Sequence, residues 1–209
     1  DQSRPDDIAR LFRTVRERFG TLDVFVSNAR ADYDRFFESP EAIALDRFEY
    51  AFASQSRAFH LEVRHAADLL GGAGRIVAVT YAPGARTGSW QPWVAMGSAK
   101  APVESLVRYW AVALAARGIT VNAVSPGLTE GTAINSLPAD VVGQLRAWGR
   151  SGWTPMRRLA TPDDVGRAVV LLASGHAGFV TGQVLHVDGG ASLMAPSFPL
   201  TIQWPGVAG

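Results

Sequence analysis

The sequence predicts an α/β protein built on a doubly wound parallel sheet, and three observations predict it. Segments carrying a helical stripe alternate with short apolar runs from one end of the chain to the other. The first of the apolar runs, Leu22 to Ser27, is short and best read as a buried parallel strand. Glycines and capping residues punctuate the boundaries. The chain has 209 residues, 47% of them hydrophobic and 19% charged, which is ample for one core.

Taken in order, Ser3-Arg4-Pro5-Asp6 starts a helix, with Ser3 expected as N-cap and Asp6 answering it. Ile8, Leu11, Phe12, Val15 and Phe19 form its apolar stripe, and Gly20 ends it. Leu22 to Ser27 is a buried strand. A loop with Asp32, Asp34, Phe36 and Phe37 leads to a long helix expected from about Pro40 to Leu70, which Gly71-Gly72-Ala73-Gly74 breaks. Arg75 to Thr80 is a second strand. Val103, Leu106, Val107, Trp110, Ala111 and Leu114 share one helical face, closed by Gly118. Ile119 to Ser125 is a third strand. Thr161-Pro162-Asp163-Asp164 starts another helix, with Pro162 in the first turn where a missing N–H costs nothing. Gly182 to Val187 is a fourth strand. Residues 1–194 read as one domain and 195–209 as an extended, proline-rich tail.

Several function classes are excluded by composition. A net charge of +1 with scattered arginines makes no electrostatic case for nucleic acid or an anionic membrane. Cysteine is absent, so thiolate chemistry is excluded. No apolar run reaches transmembrane length, and a cytoplasmic protein is expected. His60, His65, His176 and His186 lack metal-ligand spacing and read as structural. There is no Gly-x-Ser-x-Gly nucleophile elbow.

Three segments carry a family resemblance in the same order as the family's own. Leu22 to Arg30 resembles the strand that ends in Asn-Asn-Ala-Gly in the short-chain dehydrogenase/reductase superfamily. Asn122-Ala123-Val124-Ser125-Pro126-Gly127 resembles its strand-end loop beside the nicotinamide, and Thr181 to Gly190 its C-terminal strand. The resemblance runs from Asp1 to about Met194 and implies a Rossmann-like, three-layer α/β/α fold with NAD or NADP as cofactor. The family's opening strand, Gly-rich turn and helix match nothing here. Gly72-Ala73-Gly74 precedes a strand and opens no helix, so it reads as a turn rather than a phosphate cradle. The expected sheet therefore lacks the first βαβ unit, roughly fifty residues. Either those residues precede Asp1 or half of the cofactor site is missing.

The resemblance also supplies the candidate site. Family enzymes place a tyrosine four or seven positions before an active-site lysine. Lys100 fits the lysine, but the two tyrosine positions hold Met96 and Trp93, neither of which donates a proton to a carbonyl. The other reading of Lys100 is a solvated helical lysine; it is the only lysine in the chain and sits inside the matched motif. Tyr81 ends a strand at or beside the family serine and is a candidate displaced proton donor, or a packed tyrosine. Thr80 is the candidate substrate-orienting hydroxyl. Asn28, Ala29 and Arg30 are expected to line the cofactor cleft, with Arg30 in place of a glycine that leaves the cofactor room. Pro126, Gly127, Leu128 and Thr129, or Thr132 instead, are expected at the carboxamide.

Met96 to Ala101 with Glu104 to Tyr109 resembles enoyl-thioester reductases. Gln55 to Phe59 and the tail from Phe198 to Gly206 resemble halohydrin dehalogenases, against which Lys100 and the absent tyrosine both speak. The function expected is NAD(P)-dependent reduction of a carbonyl or enoyl small molecule, the alternatives being a catalytically degenerate partner subunit or a dehalogenase-like lyase. Resemblance implies a homodimer or homotetramer, with a hetero-oligomer if the chain is a partner subunit. The tail is expected to bury Trp204 at a subunit contact.

Overall fold

The computed structural model describes residues 1–30, 38–81, 90–135 and 137–203, without the side chains of Thr132 and Ala133. Helix α1 (Pro5–Phe19) leads to β1 (Leu22–Ser27). Helices α2 (Leu45–Phe52) and α3 (Ala58–Ala67) are joined through a π-helical turn at Ala53–Arg57. Strand β2 (Leu70–Val79), α4 (Val94–Ala115) and β3 (Thr120–Pro126) follow. Two short helices, α5 (Thr132–Asn135) and α6 (Ala139–Trp148), precede α7 (Pro162–Ala173), β4 (Val184–Val187) and a final turn, α8 (Leu200–Gln203).

The four strands lie in chain order β1-β2-β3-β4, and every neighbouring pair is parallel. On one face, Ile76 and Ala78 of β2 and Val121 and Ala123 of β3 meet Phe12, Phe59, Val63, Val103 and Val107 from α1, α3 and α4. On the other, Val77 and Val124 meet Leu172 of α7. The period-two alternation of β2 and β3 therefore feeds both layers, as the doubly wound reading requires. Val24 and Val26 of β1 remain 39% exposed.

Several boundaries differ from those read in the sequence. The N-cap of α1 is Arg4 rather than Ser3, whose backbone and hydroxyl are both taken by the Asp1 carboxylate at 2.8 Å. The helix expected from Pro40 begins at Leu45 and ends at Ala67. It stops there because the Arg117 guanidinium takes the Ala67 carbonyl at 2.6 Å, and the Leu69 carbonyl accepts from Leu22 of β1 at 3.1 Å. The glycines are thus not a helix break but an irregularity within β2: Leu22 pairs with Leu70, then Val24 pairs with Arg75. Gly118 closes the turn after α4 at φ 72°, where a Cβ would lie 2.2 Å from the Gly72 carbonyl oxygen. The α7 start matches its reading: Thr161 caps Asp164, and the Asp164 carboxylate returns to the Thr161 amide at 2.7 Å. The tail is not extended throughout. Pro199 opens one helical turn, its carbonyl accepting from Ile202 and Gln203. Trp204, Asp32, Asp34, Phe36 and Phe37 lie outside the described residues.

Candidate active site

Strands β1, β2 and β3 deliver their C-terminal ends to one edge of the sheet, where open α/β sheets bind ligands. There a cavity of about 230 Å³ is lined by Asn28 and Arg30 after β1, and by Thr80 and Tyr81 after β2. Lys100, Trp93 and Met96 of the α4 region and the Pro126–Thr129 loop after β3 complete its walls. Nine of the ten residues singled out in the sequence therefore meet in one place. Ala29 does not: between Asn28 and Arg30 it faces the other way, into a neighbouring cleft shared with Asp7, Arg10 and Glu62. Arg30 lines both spaces, so its side chain occupies room that a glycine leaves open.

Lys100 is not a solvated helical lysine. Its Nζ donates to the Val79 carbonyl at 2.5 Å, at the last residue of β2. Burial pushes the ammonium down to about 8; the Glu62 carboxylate works against that shift, and Arg30 adds to it. Thr80 is buried, and its hydroxyl proton is committed to the Glu104 carboxylate at 3.1 Å or the Val124 carbonyl at 3.4 Å. Tyr81 lies on the cavity wall, its ring 6.0 Å from that of Trp93, which stacks on Trp90 at 5.9 Å and 28°. Trp93 and Met96 are 8% and 2% exposed. Both of the helix positions where a tyrosine was expected thus contribute apolar wall and no proton donor.

Gly127 is held by close approach. A Cβ there would stand 2.7 Å from the Asp188 Cβ and 2.9 Å from its Cα, so the turn after β3 can lie against the turn after β4 only without a side chain. Burial opposes the Asp188 charge, but hydrogen bonds from Ser192 and the Gly190 amide outweigh it and hold the carboxyl below its usual range. Thr129 donates to the Gly127 carbonyl at 3.0 Å and braces the same loop. Ile134 of α5, Leu137 in the bend that follows and Leu145 of α6 add aliphatic surface to the cavity wall. These three residues come from the segment between Glu130 and Trp153, which has no readable motif.

Two buried carboxylates were not among the site residues singled out in the sequence. Glu62 and Glu104 are each 8% exposed. The signal was present: Glu62 falls in the stripe Phe59, Val63, Ala66, and Glu104 in the stripe Val103, Val107, Ala111, both otherwise apolar. His60 and His65 pack against aromatic rings. His65 stacks on Phe12 at 5.7 Å, and His60 lies 5.4 Å from Trp110.

This arrangement has relatives. A family model described as enoyl-(acyl carrier protein) reductase matches residues 1–192. The 1-cyclohexenylcarbonyl-CoA reductase of Streptomyces collinus is 34% identical over 198 residues, covering 95% of this chain and 69% of that protein. Among solved structures, an enoyl-(acyl-carrier-protein) reductase from Anaplasma phagocytophilum in complex with NAD superposes with a TM-score of 0.79 at 27% identity. The match covers 95% of this chain and 74% of that one. The angucycline C-6 ketoreductase LanV with bound NADP gives a TM-score of 0.79 at 28% identity, over 92% of this chain and 73% of that one. With the strand-end cavity, Lys100 and a match over nearly the whole chain in agreement, the protein belongs to the short-chain dehydrogenase/reductase family, in its enoyl-(acyl carrier protein) reductase-like group.

Proposed function

We propose that the protein is an NAD(P)-dependent reductase acting on a carbonyl or enoyl group of a small, largely apolar substrate. The observation that carries the reading is the gathering of Lys100, Tyr81, Asn28 and the Pro126–Thr129 loop around one cavity. The structural relatives with NAD and NADP support the cofactor class.

The donor set suits the nicotinamide-ribose end of such a cofactor: the Lys100 ammonium from α4 and the Asn28 amide from the end of β1 both line the cavity. Lys100 and Asn28 would hold the ribose side, and the Pro126–Thr129 loop the carboxamide. When bound, the reduced nicotinamide supplies the hydride. Tyr81 delivers the proton that neutralises the developing oxyanion, and the nearby Lys100 ammonium stabilises the phenolate left behind. Trp93, Met96, Leu137 and Leu145 exclude water and receive the apolar part of the substrate.

Titration with NADH and NADPH tests the reading. At a hundredfold excess over Kd, one of the two is expected to raise the melting temperature by roughly 5–10 °C. No response to either overturns it.

One observation favours a second reading. Trp93 and Met96 are both buried and apolar, which is what a catalytically degenerate partner subunit would show. In that case both cofactors fail to bind, and native mass measurement returns a hetero-oligomer. The dehalogenase-like alternative gains nothing from Lys100 at the cavity or from the relatives, which are reductases.

We further propose a homodimer or homotetramer. Its support is exposed apolar surface on two helices: Tyr109 and Val112 on α4 are 76% and 81% exposed, and Val170 and Leu171 on α7 are 67% and 52% exposed. Sedimentation is expected to give a dimer or tetramer; a monomer at micromolar concentration overturns this. No helix among the described residues is long and apolar enough to cross a membrane.

A further inference from the structure

Glu62 has no part in the reduction set out above, yet its carboxylate lies in the apolar face of α3. A charge in such a place is costly unless hydrogen bonds and an opposite charge compensate it. The hydrogen bond is there: the Ser27 hydroxyl donates to Glu62 Oε2 at 2.6 Å. Ser27 is the last residue of β1 and pairs with Ala78 of β2. The next residue of β2, Val79, offers the carbonyl that Lys100 Nζ takes at 2.5 Å. Carboxylate and ammonium are thus anchored at the ends of adjacent strands, one reaching in from α3 and the other from α4.

We propose that Glu62 is the buried counter-ion of Lys100, a positioning residue that, tethered by Ser27, keeps the ammonium charged where the cofactor ribose is held. The functional half of this statement rests on the reductase reading; the pairing itself does not. Burial and Arg30 both drive Lys100 toward its neutral form, and Glu62 opposes them. Burial raises Glu62 in turn, while Ser27 and Lys100 pull it back. Other charged or titratable groups among the described residues face the pair, beginning with Asp1, which lines the cleft beside Glu62 and whose amine pairs with Asp7 at 3.1 Å. Asp7 and Arg10 of α1, beside Glu62, pair with each other at 2.7 Å, and Tyr50 of α2 lines the same cleft. Tyr81 faces Lys100 from the end of β2. Glu104, one turn along α4, is taken by Thr80. The loop after β3 brings Pro126, Gly127, Leu128 and Thr129, none of which titrates. Among the described residues, Glu62 is therefore the carboxylate placed to hold this charge.

The test uses Lys100 being the only lysine in the sequence. Isotope-labelled lysine gives one side-chain signal whose shift follows the ammonium through its titration. Glu62→Gln keeps the shape and can still accept from Ser27, but removes the charge. It is expected to lower the Lys100 midpoint by roughly 1 unit or more, with Ser27→Ala lowering it less and Glu62→Asp restoring part of it. The melting temperature of Glu62→Gln near neutral pH should fall below the parent's, since the Lys100 ammonium is left without its counter-ion. An unmoved midpoint in folded Glu62→Gln overturns the proposal. If that variant does not fold, an unmoved midpoint in both Ser27→Ala and Glu62→Asp does so. The basic limb of kcat/KM is expected to move by the same amount as the midpoint. A midpoint that moves while cofactor binding and turnover do not supports the counter-ion and counts against the reductase reading of Lys100.

Discussion

Lys100→Met is expected to reduce kcat/KM for NAD(P)H-dependent reduction by ~10²–10³-fold, the scale of losing one preorganised electrostatic group in a water-poor site. Methionine matches the length of the stem but cannot donate to the Val79 carbonyl or hold a ribose. Arginine is not expected to rescue it, because a planar guanidinium does not reproduce a compact ammonium on a carbonyl 2.5 Å away. The same variant carries a stability signature with a definite sign. The folded protein holds Lys100 at about 8, below the ordinary 10.5, so between those values the unfolded chain binds more protons. The parent protein should gain stability as pH rises through that window, and lose it as pH falls through about 8. Lys100→Met should lack this rise. Denaturant titrations of both proteins from pH 7 to pH 10.5 measure it; parallel curves would place Lys100 in water rather than in the site.

Tyr81→Phe is expected to cost ~10²–10⁴-fold in kcat, the usual contribution of a positioned general acid, with little change in cofactor affinity. The competing idea is that the tyrosine was lost from α4 and never replaced. Introducing Trp93→Tyr or Met96→Tyr separates the two. If Tyr81 is the donor, neither change improves the parent protein, and one of them restores part of the activity in the Tyr81→Phe background. If either change accelerates the parent protein while Tyr81→Phe is silent, Tyr81 is a wall residue. Trp93→Tyr also removes one ring of the Trp90 stack, so its effect on KM reports how far that aromatic surface binds substrate.

The layer order of the fold was legible because it is carried by local periodicity. A buried parallel strand such as Ile76 to Val79 reads as a continuous apolar run, and the stripe of α4 reads at helical spacing. The α7 start was legible because a capping box is a contact between residues three apart. Boundaries set by distant partners were not. The end of α3 depends on Arg117, fifty positions away, and the glycines after it fall inside β2 because β1 pairs on either side of them, at Leu70 and at Arg75. Ser3 looked like a cap until Asp1 competed for it.

The candidate site divides along the same line. The sequence by itself determined which residues end strands, that Lys100 stands where a family lysine stands, and that Met96 and Trp93 cannot donate a proton. Strand ends of a parallel sheet converge whatever their side chains are, so nine of the ten residues singled out did meet. Only the tertiary structure decided how each is employed. It spent the Thr80 hydroxyl on Glu104, turned Ala29 away, left Tyr81 on the cavity wall and tied Glu62 to Ser27 at the end of β1. Hydrogen-bond direction and the electrostatics of burial depend on neighbours far apart in the chain, and no spacing rule encodes those distances.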